Sequence, residues 1–82
     1  MTAEEIKDEI RNYVTTTIIQ NKGLTITDST ALITEGIMDS ISTLKLVDFL
    51  ENRFAVSFEP HDVDRENLDS IDLIAAFVAA KM

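Results

Sequence analysis

The sequence predicts an all-α fold, a small four-helix bundle of three long helices and one short one, with a long loop between the first and second. Three observations predict it. Apolar residues recur at helical spacing in three separate segments, the stretch between the first two keeps no period, and Glu59-Pro60 leaves room for only a short helical turn before the last. The 82 residues read as a single domain over 1–82, and a chain of this size buries only roughly 60% of its unfolded surface. Cysteine is absent, which removes disulfides, thiol nucleophiles and thiolate metal sites and leaves stability to helix packing.

The first helix starts in TAEEIKDEIRNYV. Thr2 followed three residues later by Glu5 is the capping-box pattern, and Ile6, Ile10, Tyr13 and Val14 form one stripe. The next residues, TTTIIQNKGLTIT, are β-branched on both sides of Asn21-Lys22-Gly23 and also suit a short hairpin. The helical reading is preferred: it carries the stripe on through Ile18 and stops before Gly23, a suitable residue for leaving a helix.

Leu24 to Met38 lacks a period and holds several Thr, Ser and Asp residues with one glycine, Gly36, so it reads as a loop whose few apolar side chains cover the core. SISTLKLVDFLENRF is the second helix, with Leu44, Leu46, Val47, Leu50 and Phe54 on one broad arc. HDVDRENL gives the short helix, and DSIDLIAAFVAAKM the last, with Ile71, Ile74, Ala75 and Val78 along its stripe. No linker, low-complexity tract or long repeat divides the chain.

Fifteen acidic residues against seven basic ones leave a net charge of -8, which repels phosphate backbones and anionic lipid and disfavours nucleic acid as a partner. An acid-rich surface also simply keeps a small protein in solution. No stretch has the pattern of a signal peptide or the length of a membrane span, so a cytoplasmic protein without membrane insertion is expected, and a monomer is expected as well.

One triplet is written twice, as Asp39-Ser40-Ile41 in GIMDSIST and as Asp69-Ser70-Ile71 in NLDSIDLI. In the second copy every residue has a structural use: Asp69 as N-cap, Asp72 as an acid at the third helical position, Ile71 opening the buried stripe, and Ser70 as an ordinary first-turn residue. In the first copy Asp39 caps as well, but the third position is Ser42, and Ile41 falls on the face of Lys45, Asp48 and Asn52 instead of the core arc. An apolar branched residue beside an exposed serine is a candidate docking feature. The alternative is an isoleucine folded back onto the loop.

GIMDSISTLKLVDFLENRF resembles the central segment of the carrier-protein family, which includes acyl, peptidyl and D-alanyl carrier proteins: a glycine, an Asp-Ser-apolar triplet, then an amphipathic helix ending in Phe. The resemblance extends to the layout of nearly the whole chain, an acyl-carrier-like bundle. It implies that Ser40, flanked by the motif acid Asp39, receives 4'-phosphopantetheine from coenzyme A through a phosphopantetheinyl transferase. It further implies a protein that catalyses nothing itself and carries acyl intermediates as thioesters on that arm. Its partners would be an acyl- or aminoacyl-loading ligase and a downstream acyltransferase or synthase.

In the family the helix after the serine is the main recognition face and is usually lined with carboxylates. Here Ile41, Lys45, Asp48 and Glu51 are the candidate partner-binding residues, but Ser42 and Lys45 stand where carriers of the bacterial fatty-acid pathway are typically acidic, and Arg53 adds a further positive charge. That departure points to a specialised carrier, in lipid or secondary-metabolite biosynthesis, with fewer partners. Lys45–Asp48 and Arg53–Glu51 surface pairs without functional meaning are the alternative. VDRENLDS with GIMDS is also similar to D-alanyl and other stand-alone carriers loaded by AMP-forming ligases, so an aminoacyl cargo is the second reading. An unmodified helical interaction module using the Ile41 face is the third.

Other chemistry fits poorly. Asp62, Asp64 and Glu66 suggest a calcium loop, but its sixth position is Asn67 and its closing position Leu73. His61 is the sole histidine and reads as a solvent-facing turn residue, so no metal site is expected. A hydrolase built on Ser40 and His61 would need a pocket and an oxyanion hole that so few helical residues struggle to provide.

Overall fold

Helix α1 spans Ala3–Tyr13 in the computed structural model, which describes residues 1–19 and 24–82. It opens with the capping box: Glu5 N–H donates to Thr2 Oγ1 at 3.2 Å and Thr2 N–H to Glu5 Oε1 at 3.0 Å. Ile6, Ile10 and Val14 are buried. The helix continues past Tyr13 as a π-helical turn over Val14–Ile18, closed by Ile19 N–H to the Val14 carbonyl at 2.8 Å. The run of β-branched residues crowds an α-helical turn. Thr15 and Thr16 also donate their hydroxyls to the Arg11 and Asn12 carbonyls, competing with the backbone ladder. Through Ile18, then, the helical reading prevails over the hairpin, and the expected exit at Gly23 lies outside the described residues.

The connection from residue 24 to 38 is held at several points. Arg11 donates to both carboxylate oxygens of Asp28, at 3.0 and 2.9 Å. Asp72 N–H from the last helix meets the Asp28 carbonyl at 3.0 Å. Leu32 and Met38 are fully buried and plug the loop into the core, with the Met38 N–H on the Leu32 carbonyl at 2.9 Å. Gly36 turns the chain between them at φ 75°, a left-handed conformation that favours glycine.

Helix α2 is Ser40–Phe54, capped by Asp39 and ended by Ala55 in the left-handed conformation, φ 54°. Its buried line is Thr43, Leu46, Val47, Leu50 and Phe54. Leu44, expected in that arc, is 61% exposed. Thr43 takes the inner position because its hydroxyl finds the Asp39 carbonyl at 2.8 Å, which satisfies the polar atom it buries.

Pro60–Asp62 forms one 3-10 turn, α3 is Arg65–Leu68, and α4 is Ile71–Lys81. The expected stripe of Ile71, Ile74, Ala75 and Val78 is buried, and α4 lies against α1. Side chains from all four helices and the loop meet in one core, so the regular structure among the described residues is an all-helical four-helix bundle.

Candidate functional site

Ser40 is the first residue of α2 and is exposed. Asp39 keeps extended backbone and accepts the Ser42 N–H at 2.8 Å, while its carbonyl receives Thr43 N–H at 2.9 Å. The backbone N–H of Ser42, and then its side chain, hold the Asp39 carboxyl below the usual carboxylate range. The cap is thus an anion directed at the helix terminus. Among the described residues nothing bonds to the Ser40 hydroxyl.

The second triplet has the same spelling and a different phase. Ser70, not Asp69, is the N-cap of α4: it accepts Leu73 N–H at 3.1 Å and is buried, 7% exposed. Asp72 consequently sits at the second helical position, where it pairs with Lys7 at 2.8 Å. Asp69 is taken by the loop before Ser40. One carboxylate oxygen accepts Ile33 N–H at 2.8 Å and Thr34 N–H at 2.9 Å, and the other accepts the Thr34 hydroxyl at 2.6 Å. Serine caps as well as aspartate does, so the acid is released to an acceptor site that only a carboxylate can fill three times over. Burial pushes the Asp69 carboxyl up, but the Thr34 hydroxyl and N–H, the Ile33 N–H and nearby Arg65 outweigh it and leave the group below the usual range.

Ser40 and Asp39 stand on an open groove of about 480 Å³ also lined by Ile33, Met38, Leu44, Val63 and Arg65. Leu44 and Val63 are shared with a neighbouring cleft of about 510 Å³ that runs to Phe58 and Pro60. Ser40 therefore borders a largely apolar seam between α2 and α3 whose charged lining is Asp39, Asp64 and Arg65.

The other predicted site residues separate into two groups. Ile41, 66% exposed, lies with Lys45 and Asp48 on the outer side of α2. Lys45 makes no ion pair among the described residues, and Asp48 receives the Asn52 amide at 3.3 Å. Glu51 is half-buried, and one of its oxygens accepts Phe58 N–H at 2.9 Å, which fastens the segment after α2. Arg53 pairs with Glu9 of α1, its Nε 2.8 Å from Oε1, instead of with Glu51. Asp62 accepts Glu59 N–H at 2.9 Å and pairs with Lys81 at 3.2 Å, so its oxygens serve the turn and the end of α4. His61 is a solvent-facing turn residue, as expected.

Sequence reasoning missed Leu44, Arg65 and Asp69. Leu44 was legible in principle, because the spacing Thr43, Val47, Leu50, Phe54 makes a tighter stripe that excludes it. Arg65 and Asp69 carry no local signal, since Ser40 is 25 residues from the first and Ile33 and Thr34 are 36 and 35 from the second.

No family model matches the chain. It is similar to D-alanyl carrier proteins of Lactococcus lactis, from two strains of subspecies cremoris and one of subspecies lactis. Each is 40% identical over 50 residues, a match that covers 61% of this chain and 63% of the relative's length.

Proposed function

We propose that this protein is a covalent carrier that bears 4'-phosphopantetheine on Ser40 and is not itself an enzyme. The observation that carries the reading is the contrast between the serines: Ser40 is exposed with an uncommitted hydroxyl at a helix start, whereas Ser70 is buried and occupied as a cap. The name of the relatives supports it.

The residues present fit such an arm. In the modification the Ser40 oxygen forms a bond to phosphorus of coenzyme A, the pyrophosphate bond breaks, adenosine bisphosphate leaves, and the hydroxyl proton passes to a base on the transferase. The start of α2 favours the resulting negative charge. Arg65 places a cation on the same groove beside the acid Asp64, and Ile33, Leu44 and Val63 offer apolar surface along it. When bound, the arm supplies the thiol that this cysteine-free chain lacks, on which acyl groups ride as thioesters.

The cargo belongs to the acyl class in the broad sense. Within it, the relatives, being D-alanyl carrier proteins, favour an aminoacyl group, D-alanyl in particular, over the general acyl cargo that is the first reading of the sequence. The partners are then a phosphopantetheinyl transferase, an AMP-forming ligase that loads the thiol, and a downstream acyltransferase. Ile41, Lys45 and Asp48 form the proposed docking face with Leu44, while Glu51, half-buried and bonded to Phe58 N–H, borders it.

Coexpression with a broad-specificity phosphopantetheinyl transferase and intact-mass measurement of wild type, Ser40→Ala and Ser70→Ala tests the site. Addition to wild type and Ser70→Ala but not to Ser40→Ala is expected. No added mass on wild type would sink the reading. Incubating the modified protein with ATP, D-alanine and a D-alanine-activating ligase then tests the cargo.

A further inference from the structure

The Asp69 side chain caps no helix, since Ser70 caps α4, yet it is the most heavily used carboxylate near the site. Besides its three side-chain bonds to Ile33 and Thr34, its carbonyl accepts Leu32 N–H at 2.6 Å. Four hydrogen bonds on one residue thus collect 32–34. The Leu32 carbonyl in turn accepts Met38 N–H at 2.9 Å, and Met38 is buried immediately before Asp39 and Ser40. From Asp69 to Ser40 there is an unbroken relay of short bonds and one buried side chain, while the sequence route between the two residues passes through the whole of α2 and α3. The groove beside the serine is lined by two members of this relay, Ile33 and Met38.

We infer that Asp69 is a positioning residue for Ser40: the second triplet holds the loop that presents the first. The inference rests on the reading of Ser40 as the modified residue. Phosphoryl transfer needs the serine oxygen in line with phosphorus at about 3–3.5 Å, and a misplacement of about 1 Å can cost roughly a hundredfold in rate. Asp39 fixes the helix start from one side only. The segment that enters Asp39 from Leu32 is fixed by Asp69.

The test compares wild type, Asp69→Ala, Asp69→Asn and Thr34→Val. The kinetics of transfer from coenzyme A to Ser40 are followed by intact mass, and amide hydrogen exchange is read on the unmodified proteins. Asp69→Ala should lower kcat for modification about tenfold with the KM for coenzyme A unchanged. The amides of Leu32, Ile33, Thr34 and Met38 should lose protection while those of α1, α2 and α4 keep it. Asp69→Asn retains acceptor capacity on one oxygen and should recover part of the loss. Thr34→Val, which removes a single exposed donor, should slow transfer about threefold, and it decides the matter if Asp69→Ala does not fold. A folded Asp69→Ala modified at the wild-type kcat would overturn the positioning role and leave Ser40 as the carrier site. A wild type that accepts no arm would instead overturn the carrier reading, and this role with it.

Discussion

Tyr13 of α1 lies flat on Phe49 of α2, ring centroids 4.1 Å apart and planes 12° from parallel, and its hydroxyl donates to the Lys45 carbonyl at 3.2 Å. Phe49 also meets Phe54 edge-on at 6.3 Å. The stack locks the end of α1 against the middle of α2. Phe49→Ala should destabilise the fold by about 2 kcal/mol, below the range for a fully buried Phe because the ring is only partly buried. Tyr13→Phe keeps the stack and should cost about 0.5–1 kcal/mol for the lost hydrogen bond. Urea unfolding measures both; a Phe49→Ala variant as stable as wild type would show that the stack contributes nothing.

The two serines should separate in stability as well as in modification. Ser70→Ala removes the cap bond to Leu73 and should cost about 1 kcal/mol. Ser40→Ala removes no bond among the described residues and should stay within about 0.5 kcal/mol of wild type. Thermal unfolding of the pair checks this, and equal losses would contradict the assignment of roles.

Ala55 ends α2 at φ 54°. A left-handed alanine costs about 1–2 kcal/mol relative to its preferred conformations, partly offset in a glycine variant by the freer unfolded chain. Ala55→Gly should therefore raise stability by about 0.5 kcal/mol. A lower melting temperature would mean that the alanine methyl makes a packing contribution larger than its strain.

Lys45 is exposed and unpaired among the described residues, so Lys45→Glu should change stability by less than about 0.5 kcal/mol. On the proposed function it should slow transfer to or from the protein's own ligase and acyltransferase more than it slows attachment of the arm, with the difference shrinking as salt is raised. Equal effects on both reactions would count against a specialised docking face.

Stability should fall on the acid side. Asp39, Asp62 and Asp69 are all held below the ordinary carboxylate range: Asp39 by the Ser42 N–H, Asp62 by the Glu59 N–H and then Lys81, and Asp69 by Thr34 and Ile33 against the effect of its burial. A depressed folded pKa contributes stability above the unfolded value, and that contribution is lost as pH drops through the folded one. Self-repulsion from a net charge of -8 eases over the same descent. The melting temperature should hold level or rise from pH 7 to about 5 and decline below about 4. Asp69→Asn should flatten the acid limb, and an unchanged limb would remove Asp69 from its causes. Lys7, raised by its bond to Asp72, works at the other end, its contribution being lost as pH climbs past the lysine range.

Much of this was legible in the sequence because it is local. The Thr2–Glu5 box, the Ile71–Val78 stripe, the Pro60 interruption and the Asp39 cap each depend on residues within about one turn of one another. Ser40 stood out by its helical phase and by family resemblance. What escaped depends on partners far along the chain. Asp69 could be read only as a cap, since Thr34 lies 35 residues away. For Arg53 the sequence offers a pairing with its near neighbour Glu51 only as an alternative, whereas Glu9, 44 residues distant, takes it. Leu44 was misplaced for another reason: hydrophobicity suggested it for the core, but Thr43 can be buried once its hydroxyl has a carbonyl to bond.

The connection before Ser40 is fastened by Arg11 to Asp28, by the core plugs Leu32 and Met38, and by Asp69. Fixing one residue's backbone costs about 1–2 kcal/mol in entropy, and along this stretch that cost is met when the protein folds. A macromolecule approaching Ser40 does not have to wait for a segment to order. Its rate of encounter is then set by orientation and charge, in the ordinary range of about 10⁵–10⁷ M⁻¹s⁻¹ for preformed surfaces.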